Sequence, residues 1–332
     1  MNRKIKWGVL GTAYIFERDT AEGMRQAENC ELYAIAGRSM EKALAFQDKY
    51  GFQVAYGSYE ELISDPNVEA IYNPLPNTMH HEWTIKALRA GKHVLCEKPL
   101  APTEREAKEM FAAAQESGVY LMEAFAYQHS PYIATLEKEI RNGAIGDPRY
   151  MEAALITSDY IPENIRMRKD TLGGCTYDLG VYCSSLILRL LKKEPIRIQG
   201  ISSFSPEGID LFTSVLMDFD DGVKATFDCG MVLETEKNSF LNRFQIHGTH
   251  GFIESVEFGF NSPGILSYRL KTFDGTDIIK TVNVPHNYRL EVEQLGRCIT
   301  HGETPRVSEA FSLTNARTID RILHAIGYGR QE

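Results

Sequence analysis

Short apolar runs alternate with stretches of helical spacing along the first third of the chain. Residues 5–10, 31–36, 70–73, 93–96 and 119–122 read as strands buried on both faces. Between them, Ser58-x-x-Glu61 and Thr103-x-x-Glu106 fit capping boxes, in which each side chain takes up a backbone N–H that a helix start leaves orphaned. Gly91 and Gly118 follow helical runs, where glycine takes the left-handed backbone that ends a helix. Strands alternating with helices need crossover connections, and crossovers make a parallel sheet. The pattern predicts an α/β domain with a doubly wound parallel sheet over residues 1–122.

Beyond residue 122 the pattern changes. Residues 130–142 read as a helix, and Asp147-Pro148 leads into a strand over 149–157. Asp221-Gly222 and Asp274-Gly275 each sit between strand-like runs, and Asp-Gly favours the positive backbone angles of hairpin turns. After the first of these, Val223, Ala225, Phe227 and Cys229 alternate with Lys224, Thr226 and Asp228, so one face packs on a core. Helical stretches at 288–300 and 309–327 close the chain. This predicts a second, α+β domain over residues 123–332, with an antiparallel or mixed sheet covered by helices on one side.

Composition narrows the function classes. A length of 332 residues suits two domains. The net charge of −9 comes without any basic block, which argues against a nucleic-acid partner. No apolar run approaches the roughly 20 residues of a membrane helix, and the N-terminus has no apolar signal core. We therefore expect a cytoplasmic protein without a membrane partner. Six scattered cysteines without a C-x-x-C pair read as reduced, buried thiols, and no metal site is expected.

Candidate chemistry begins at the end of the first strand, at Gly8-Val9-Leu10-Gly11-Thr12-Ala13-Tyr14-Ile15. A glycine there lets the backbone turn tightly beside a pyrophosphate, which the following helix start stabilises. Gly11 holds the first position of G-x-G-x-x-G, while Ala13 and Phe16 replace the other two glycines. The alternative is an ordinary strand-to-helix turn, but the place in the order of elements favours a Rossmann-type dinucleotide loop. The second strand ends in Arg38-Ser39, with Lys42 one turn on. An acidic residue usually holds the ribose 2′-hydroxyl of NAD at this point, whereas a guanidinium suits the 2′-phosphate of NADP. NADP is the expected cofactor, with NAD as the alternative.

A longer pattern lies at Ala90-Gly91-Lys92-His93-Val94-Leu95-Cys96-Glu97-Lys98-Pro99, with Pro74-Leu75-Pro76-Asn77-Thr78-Met79-His80 upstream. Together with Leu121-Met122-Glu123-Ala124-Phe125, Asn164-Ile165-Arg166, Gly173-Gly174, Asp178-x-Gly180-x-Tyr182 and Ile246-His247-Gly248-Thr249-His250-Gly251, it resembles the glucose–fructose oxidoreductase/inositol dehydrogenase/MocA (Gfo/Idh/MocA) family. The match spans nearly the whole chain, with Leu75 where that family commonly has threonine. Asn164-Ile165-Arg166 and Tyr182 look most like its dihydrodiol and pentose dehydrogenase branch. The resemblance implies hydride transfer between NAD(P) and a hydroxyl or carbonyl carbon of a sugar, polyol or related small molecule. It also implies an open-faced second sheet that pairs subunits into a homodimer or homotetramer. Two other readings of such a fold are a non-catalytic dinucleotide-binding sensor and an NAD-retaining enzyme that cleaves glycosides. Lys98 and Tyr182 count against the sensor, and Arg38 against the glycoside-cleaving group.

Transfer of a hydride from an alcohol needs a base for the hydroxyl proton and a donor for the developing alkoxide. The resemblance carries these roles to Lys98 and Tyr182, since a nearby ammonium favours the phenolate. Lys98 otherwise reads as a surface lysine, although it ends a parallel strand, where such sheets bind ligands. From spacing alone, Asp178 reads as a helix N-cap and Tyr182 as a core aromatic. The family match instead makes Asp178 a partner for a substrate hydroxyl. Arg166 binds a substrate oxygen, orders its loop, or is a plain surface arginine. By resemblance, Glu97 bonds the cofactor ribose or fixes Lys98, and Leu75, Asn77 and His80 line the cofactor, His80 having a structural role as its alternative. Substrate choice is left to loops such as 158–160 and 231–237.

Overall fold

A computed structural model describes residues 3–158, 161, 164–232 and 240–329. The chain divides into two compact units. One runs to Ser130 and resumes over Pro285–Leu313; the other takes Pro131–Val284 and the chain from Thr314 on. The boundary drawn from the sequence at residue 122 does not include this return of the chain.

In the first unit, six strands form one parallel sheet: β1 (Ile5–Leu10), β2 (Cys30–Ala36), β3 (Val54–Tyr56), β4 (Ala70–Asn73), β5 (His93–Glu97) and β6 (Leu121–Ala124). Their order is β3-β2-β1-β4-β5-β6, so the winding reverses between β1 and β4. The helices between them are α1 (Ala21–Gln26), α2 (Met40–Tyr50), α3 (Tyr59–Ser64), α4 (Asn77–Arg89) and α5 (Glu104–Ser117). Ser58 and Glu61 form the full capping box at α3. At α5, Thr103 accepts from the Glu106 N–H, but the Glu106 carboxylate turns to the Thr103 hydroxyl. Alternation with helices on both sides explains why β1, β4, β5 and β6 are almost wholly buried. The doubly wound sheet expected over this region is present.

Most of the second unit is α6 (Pro131–Arg141), β7 (Pro148–Thr157), α7 (Val181–Leu191), β8 (Arg197–Phe204), β9 (Asp210–Asp218), β10 (Lys224–Gly230), β11 (Phe240–Gly248), β12 (Gly251–Glu257), β13 (Gly264–Thr272) and β14 (Asp277–Val284). Its eight strands follow the order β14-β13-β12-β11-β7-β10-β9-β8. All neighbours are antiparallel except β7 and β10, so the sheet is mixed. Asp221-Gly222 joins β9 to β10 and Asp274-Gly275 joins β13 to β14, as their turn chemistry requires. Val215, Met217, Ala225, Phe227 and Cys229 face inward, and α7 packs on β7 and β10.

Two helices follow. α8 (Asn287–His301) packs on α1, β2 and β5 of the first unit, and α9 (Glu309–Ile326) begins in the first unit and ends in the second. All six cysteines are buried and free. Among the described residues no helix is long and apolar enough to cross a membrane.

Candidate active site

β1 delivers the chain into the loop at Gly11, whose N–H donates to the Ala36 carbonyl at 2.7 Å. Gly11 has φ +83, and a Cβ there would meet Leu75 Cδ2 at 2.9 Å. Glycine is thus required twice, by backbone angle and by space. Gly8 lies within β1, and the room left by its missing side chain is taken by Leu62 of α3. After Thr12, the Ala13 carbonyl accepts from the Phe16 and Glu17 amides, and a wide turn over Phe16–Thr20 runs into α1. Tyr14 is exposed and Ile15 half-buried beside it.

At the end of β2, Arg38 is exposed and lies close to the Tyr59 hydroxyl. Ser39 caps α2, its hydroxyl accepting from the Lys42 N–H at 3.4 Å. The positive charges of Arg38 and Lys42 therefore flank a helix start, where the dipole alone would favour anions.

The loop after β4 is fixed from within. Asn73 accepts from the Leu75 N–H and donates to the Thr84 hydroxyl at 3.0 Å. Asn77 opens α4. His80 is 1% exposed, with Nδ1 2.8 Å from the Pro99 carbonyl and Nε2 2.7 Å from the Leu75 carbonyl. Carbonyls only accept, so both contacts are hydrogen bonds only when the ring carries two N–H groups. Burial pushes the His80 pKa down, and the two carbonyls act against that. The ring ties the loop after β4 to the loop after β5.

Lys98 follows β5, half-buried, before a cis bond to Pro99. Glu97 is buried beneath it. Its carboxyl accepts from the Tyr72 hydroxyl at 2.6 Å and from the Lys98 N–H at 3.3 Å. Burial raises the Glu97 pKa, while the Lys98 ammonium lowers it. Two further carboxyls stand in this unit without having been singled out from the sequence. Glu123, at the end of β6, accepts from the Leu100 N–H at 2.9 Å, and burial pushes its pKa up to about 7. Glu291 on α8 is fully buried, with no hydrogen bond to either carboxyl oxygen among the described residues, and burial raises its pKa well above the usual range. A signal for Glu123 existed: an acidic residue inside an apolar strand run. Nothing in the sequence places Glu291 behind β5.

In the second unit, Arg166 and Asp178 pair, and Tyr182 follows four residues after Asp178. Arg166 Nε is 2.7 Å from Asp178 Oδ2. Asp178 sits inside a wide turn over Thr176–Gly180, and Gly180 precedes α7 without a side-chain cap, so Asp178 is not an N-cap. The Tyr182 ring lies 5.1 Å from that of Phe260, and its hydroxyl accepts from Asn261 Nδ2 at 3.1 Å. The segment carrying these groups is braced from two sides. Buried Asp210 accepts from the Thr176 N–H at 2.8 Å, and the Tyr328 hydroxyl donates to the Gly173 carbonyl at 2.6 Å. Gly174 has φ +120, and a Cβ there would collide with Asp210 Oδ1. Of the loops expected to choose the substrate, Asp159, Tyr160 and residues 233–237 lie outside the described residues.

Comparison with known proteins decides the family. Residues 5–125 match the model of the oxidoreductase family with an NAD-binding Rossmann fold (GFO_IDH_MocA), and residues 133–254 match the GFO/IDH/MocA C-terminal domain. The chain is 32% identical to the D-xylose 1-dehydrogenase (NADP(+)) 2 of Haloferax volcanii, over 97% of this chain and 98% of that protein. The chain belongs to the Gfo/Idh/MocA oxidoreductase family. This Gfo/Idh/MocA chain is also 29% identical to the trans-1,2-dihydrobenzene-1,2-diol dehydrogenase of Mus musculus, over 97% of each. Among solved structures it resembles KijD10, a 3-ketoreductase from Actinomadura kijaniata in complex with NADP and TDP-benzene. The TM-score is 0.90 at 26% identity, covering 98% of both chains. Both relatives by sequence fall in the branch expected from Asn164-Ile165-Arg166 and Tyr182, and the Gfo/Idh/MocA chain is an NAD(P)-dependent oxidoreductase acting on CH–OH groups.

Proposed function

We propose that this oxidoreductase moves a hydride between NADP and a hydroxyl-bearing or carbonyl carbon of a sugar, polyol or related small molecule, with Lys98 and Tyr182 handling the proton. One edge of the first sheet carries the reading. The winding reverses between β1 and β4, and ligands of such sheets bind at the carboxyl ends of the strands near that point. Gly11 follows β1, Arg38 follows β2, Leu75 and Asn77 follow β4, and Lys98 follows β5.

The residues fit the cofactor. At Gly11 a side chain would have no room and the bare backbone can approach a pyrophosphate, with Thr12 to Ile15 leading into the helix start. Arg38, Ser39 and Lys42 suit a 2′-phosphate, and β2 ends without an acidic residue to hold a 2′-hydroxyl. The D-xylose dehydrogenase relative is named for NADP, and KijD10 was solved with it. Bound on this edge, the nicotinamide supplies or accepts the hydride.

The chain's own groups move the proton. In oxidation the Tyr182 phenolate takes the hydroxyl proton of the substrate; in reduction the phenol returns it to the carbonyl oxygen. Lys98 donates to that same oxygen, and Glu97 fixes the backbone that presents it. Asp178, paired with Arg166, accepts from a second hydroxyl, which suits polyhydroxylated substrates. On this reading the N-terminal domain binds the cofactor. The C-terminal domain binds substrate and builds a homodimer or homotetramer through its open sheet face, where Ile201 and Ile265 are exposed. The enzyme is placed in the cytoplasm.

Aldoses, inositols, cyclic diols and α-dicarbonyls, followed by NADPH absorbance in both directions, would give the substrate. With the best of them, Lys98→Met should lower kcat by about 100- to 10,000-fold while NADP binding stays measurable. Full activity in Lys98→Met refutes the assigned role.

A further inference from the structure

We propose that Asn261 is a positioning residue for the Tyr182 hydroxyl, lowering the phenol's pKa by donating a hydrogen bond to its oxygen; this rests on the acid/base role given to Tyr182 above. Asn261 lies in the loop between β12 and β13, 79 residues from Tyr182 in sequence. Two aromatic anchors hold that loop. Phe260 is 5% exposed and packs on the Tyr182 ring, and Phe258 packs on Phe260 at 5.1 Å, on Phe244 at 5.0 Å and on Tyr132 at 5.7 Å. Between the anchors Gly259 turns tightly, its carbonyl accepting from the Ser262 N–H at 3.2 Å. The loop thus has its backbone fixed on both sides of Asn261, and the amide reaches the phenol oxygen at 3.1 Å.

The direction of this bond matters. An amide N–H donates, so it uses a lone pair of the phenol oxygen and not the phenol's proton. A hydrogen bond to an ionised acceptor is worth roughly twice one to a neutral acceptor, so the bond favours phenolate over phenol. Of the charged residues nearby in sequence, Asp178 stands four residues before Tyr182 and is paired with Arg166. The loop of residues 258–263 brings no titratable side chain, so its contribution comes from the Asn261 dipole.

The test is a spectroscopic titration of the full chain. Near-ultraviolet phenolate absorbance is followed with pH for the wild type and Asn261→Ala, each with the matching Tyr182→Phe background subtracted. The Tyr182 midpoint should rise by about one pH unit in Asn261→Ala. Asn261→Asp keeps the shape but replaces the donor with an anion, and should raise it further; it also serves if the alanine variant does not fold. An unchanged or lowered midpoint in the folded variants overturns the proposal. With a substrate from the screen above, the basic limb of kcat/KM should shift by the same amount, with KM for NADP unchanged. Tyr182→Phe activity separates the two ideas: a fully active Tyr182→Phe removes the acid/base reading but leaves the measured midpoint shift standing.

Discussion

Replacing Glu123 by glutamine isolates one buried ionisation in the unit that carries Lys98. The Glu123 side chain is 2% exposed, and burial pushes its pKa up to about 7, against the Ser312 hydroxyl and the Leu100 N–H. A raised carboxyl pKa means that the folded chain keeps the proton after the unfolded chain has released it. Stability therefore falls as pH rises from the unfolded value of 4.5 towards about 7, and levels off above it. The interval between those values, at about 1.4 kcal/mol per unit, gives a loss of about 3 kcal/mol. Glu123→Gln keeps a carbonyl oxygen for Leu100 and cannot ionise. The variant should gain on the wild type across that interval and end about 3 kcal/mol ahead at pH about 8, apart from a pH-independent offset for the new amide. Both tryptophans, Trp7 and Trp83, are buried in the first unit, so their fluorescence reports its unfolding. Urea titrations at a series of pH values give the difference directly. A variant-minus-wild-type difference that stays flat with pH, or grows towards acid, refutes the assignment of a protonated carboxyl.

Other expectations rest on single contacts. Arg38→Ala should raise the NADP Kd by about 10- to 100-fold, the worth of a charge-assisted bond to phosphate, and leave NAD nearly unchanged. Calorimetry with both cofactors checks this, and equal losses would end the 2′-phosphate argument. Tyr328→Phe removes the 2.6 Å bond to the Gly173 carbonyl. It should cost about 1 kcal/mol of stability and raise KM for the substrate with NADP binding unchanged; an unaltered melting curve and KM would show that the brace contributes nothing.

The strand-end positions of Gly11, Arg38, Asn77 and Lys98 were legible because they are a local matter. Apolar runs and capping signals place β1, β2, β4 and β5, and residues at strand ends inherit their position from that order. The short strand β3 was not legible: its three residues are half-buried and form no apolar run. The resemblance named Lys98, Asp178 and Tyr182, but the sequence left Arg166 as a substrate contact, a loop-ordering group or a surface arginine and did not pair it with Asp178, and the N-cap reading of Asp178 fell to the wide turn that precedes α7. Asn261, Asp210 and Tyr328 carried no signal, since a lone polar residue in a strand end, loop or tail reads as solvated.

By itself, then, the sequence determined what neighbours along the chain can settle: the alternation that forces a parallel sheet, the glycine at the end of β1, the cation at the end of β2 and the lysine at the end of β5. Tertiary structure alone decided which carboxyls lose water: Glu291 lies on α8, which returns to the first sheet, and Glu123 is buried beside Leu100 and Ser312 of α9. It also decided what touches the phenol, because an aromatic cluster closes a loop of 79 residues to bring Asn261 to Tyr182. Desolvation and long-range contact are properties of the packed molecule, and no local spacing encodes them.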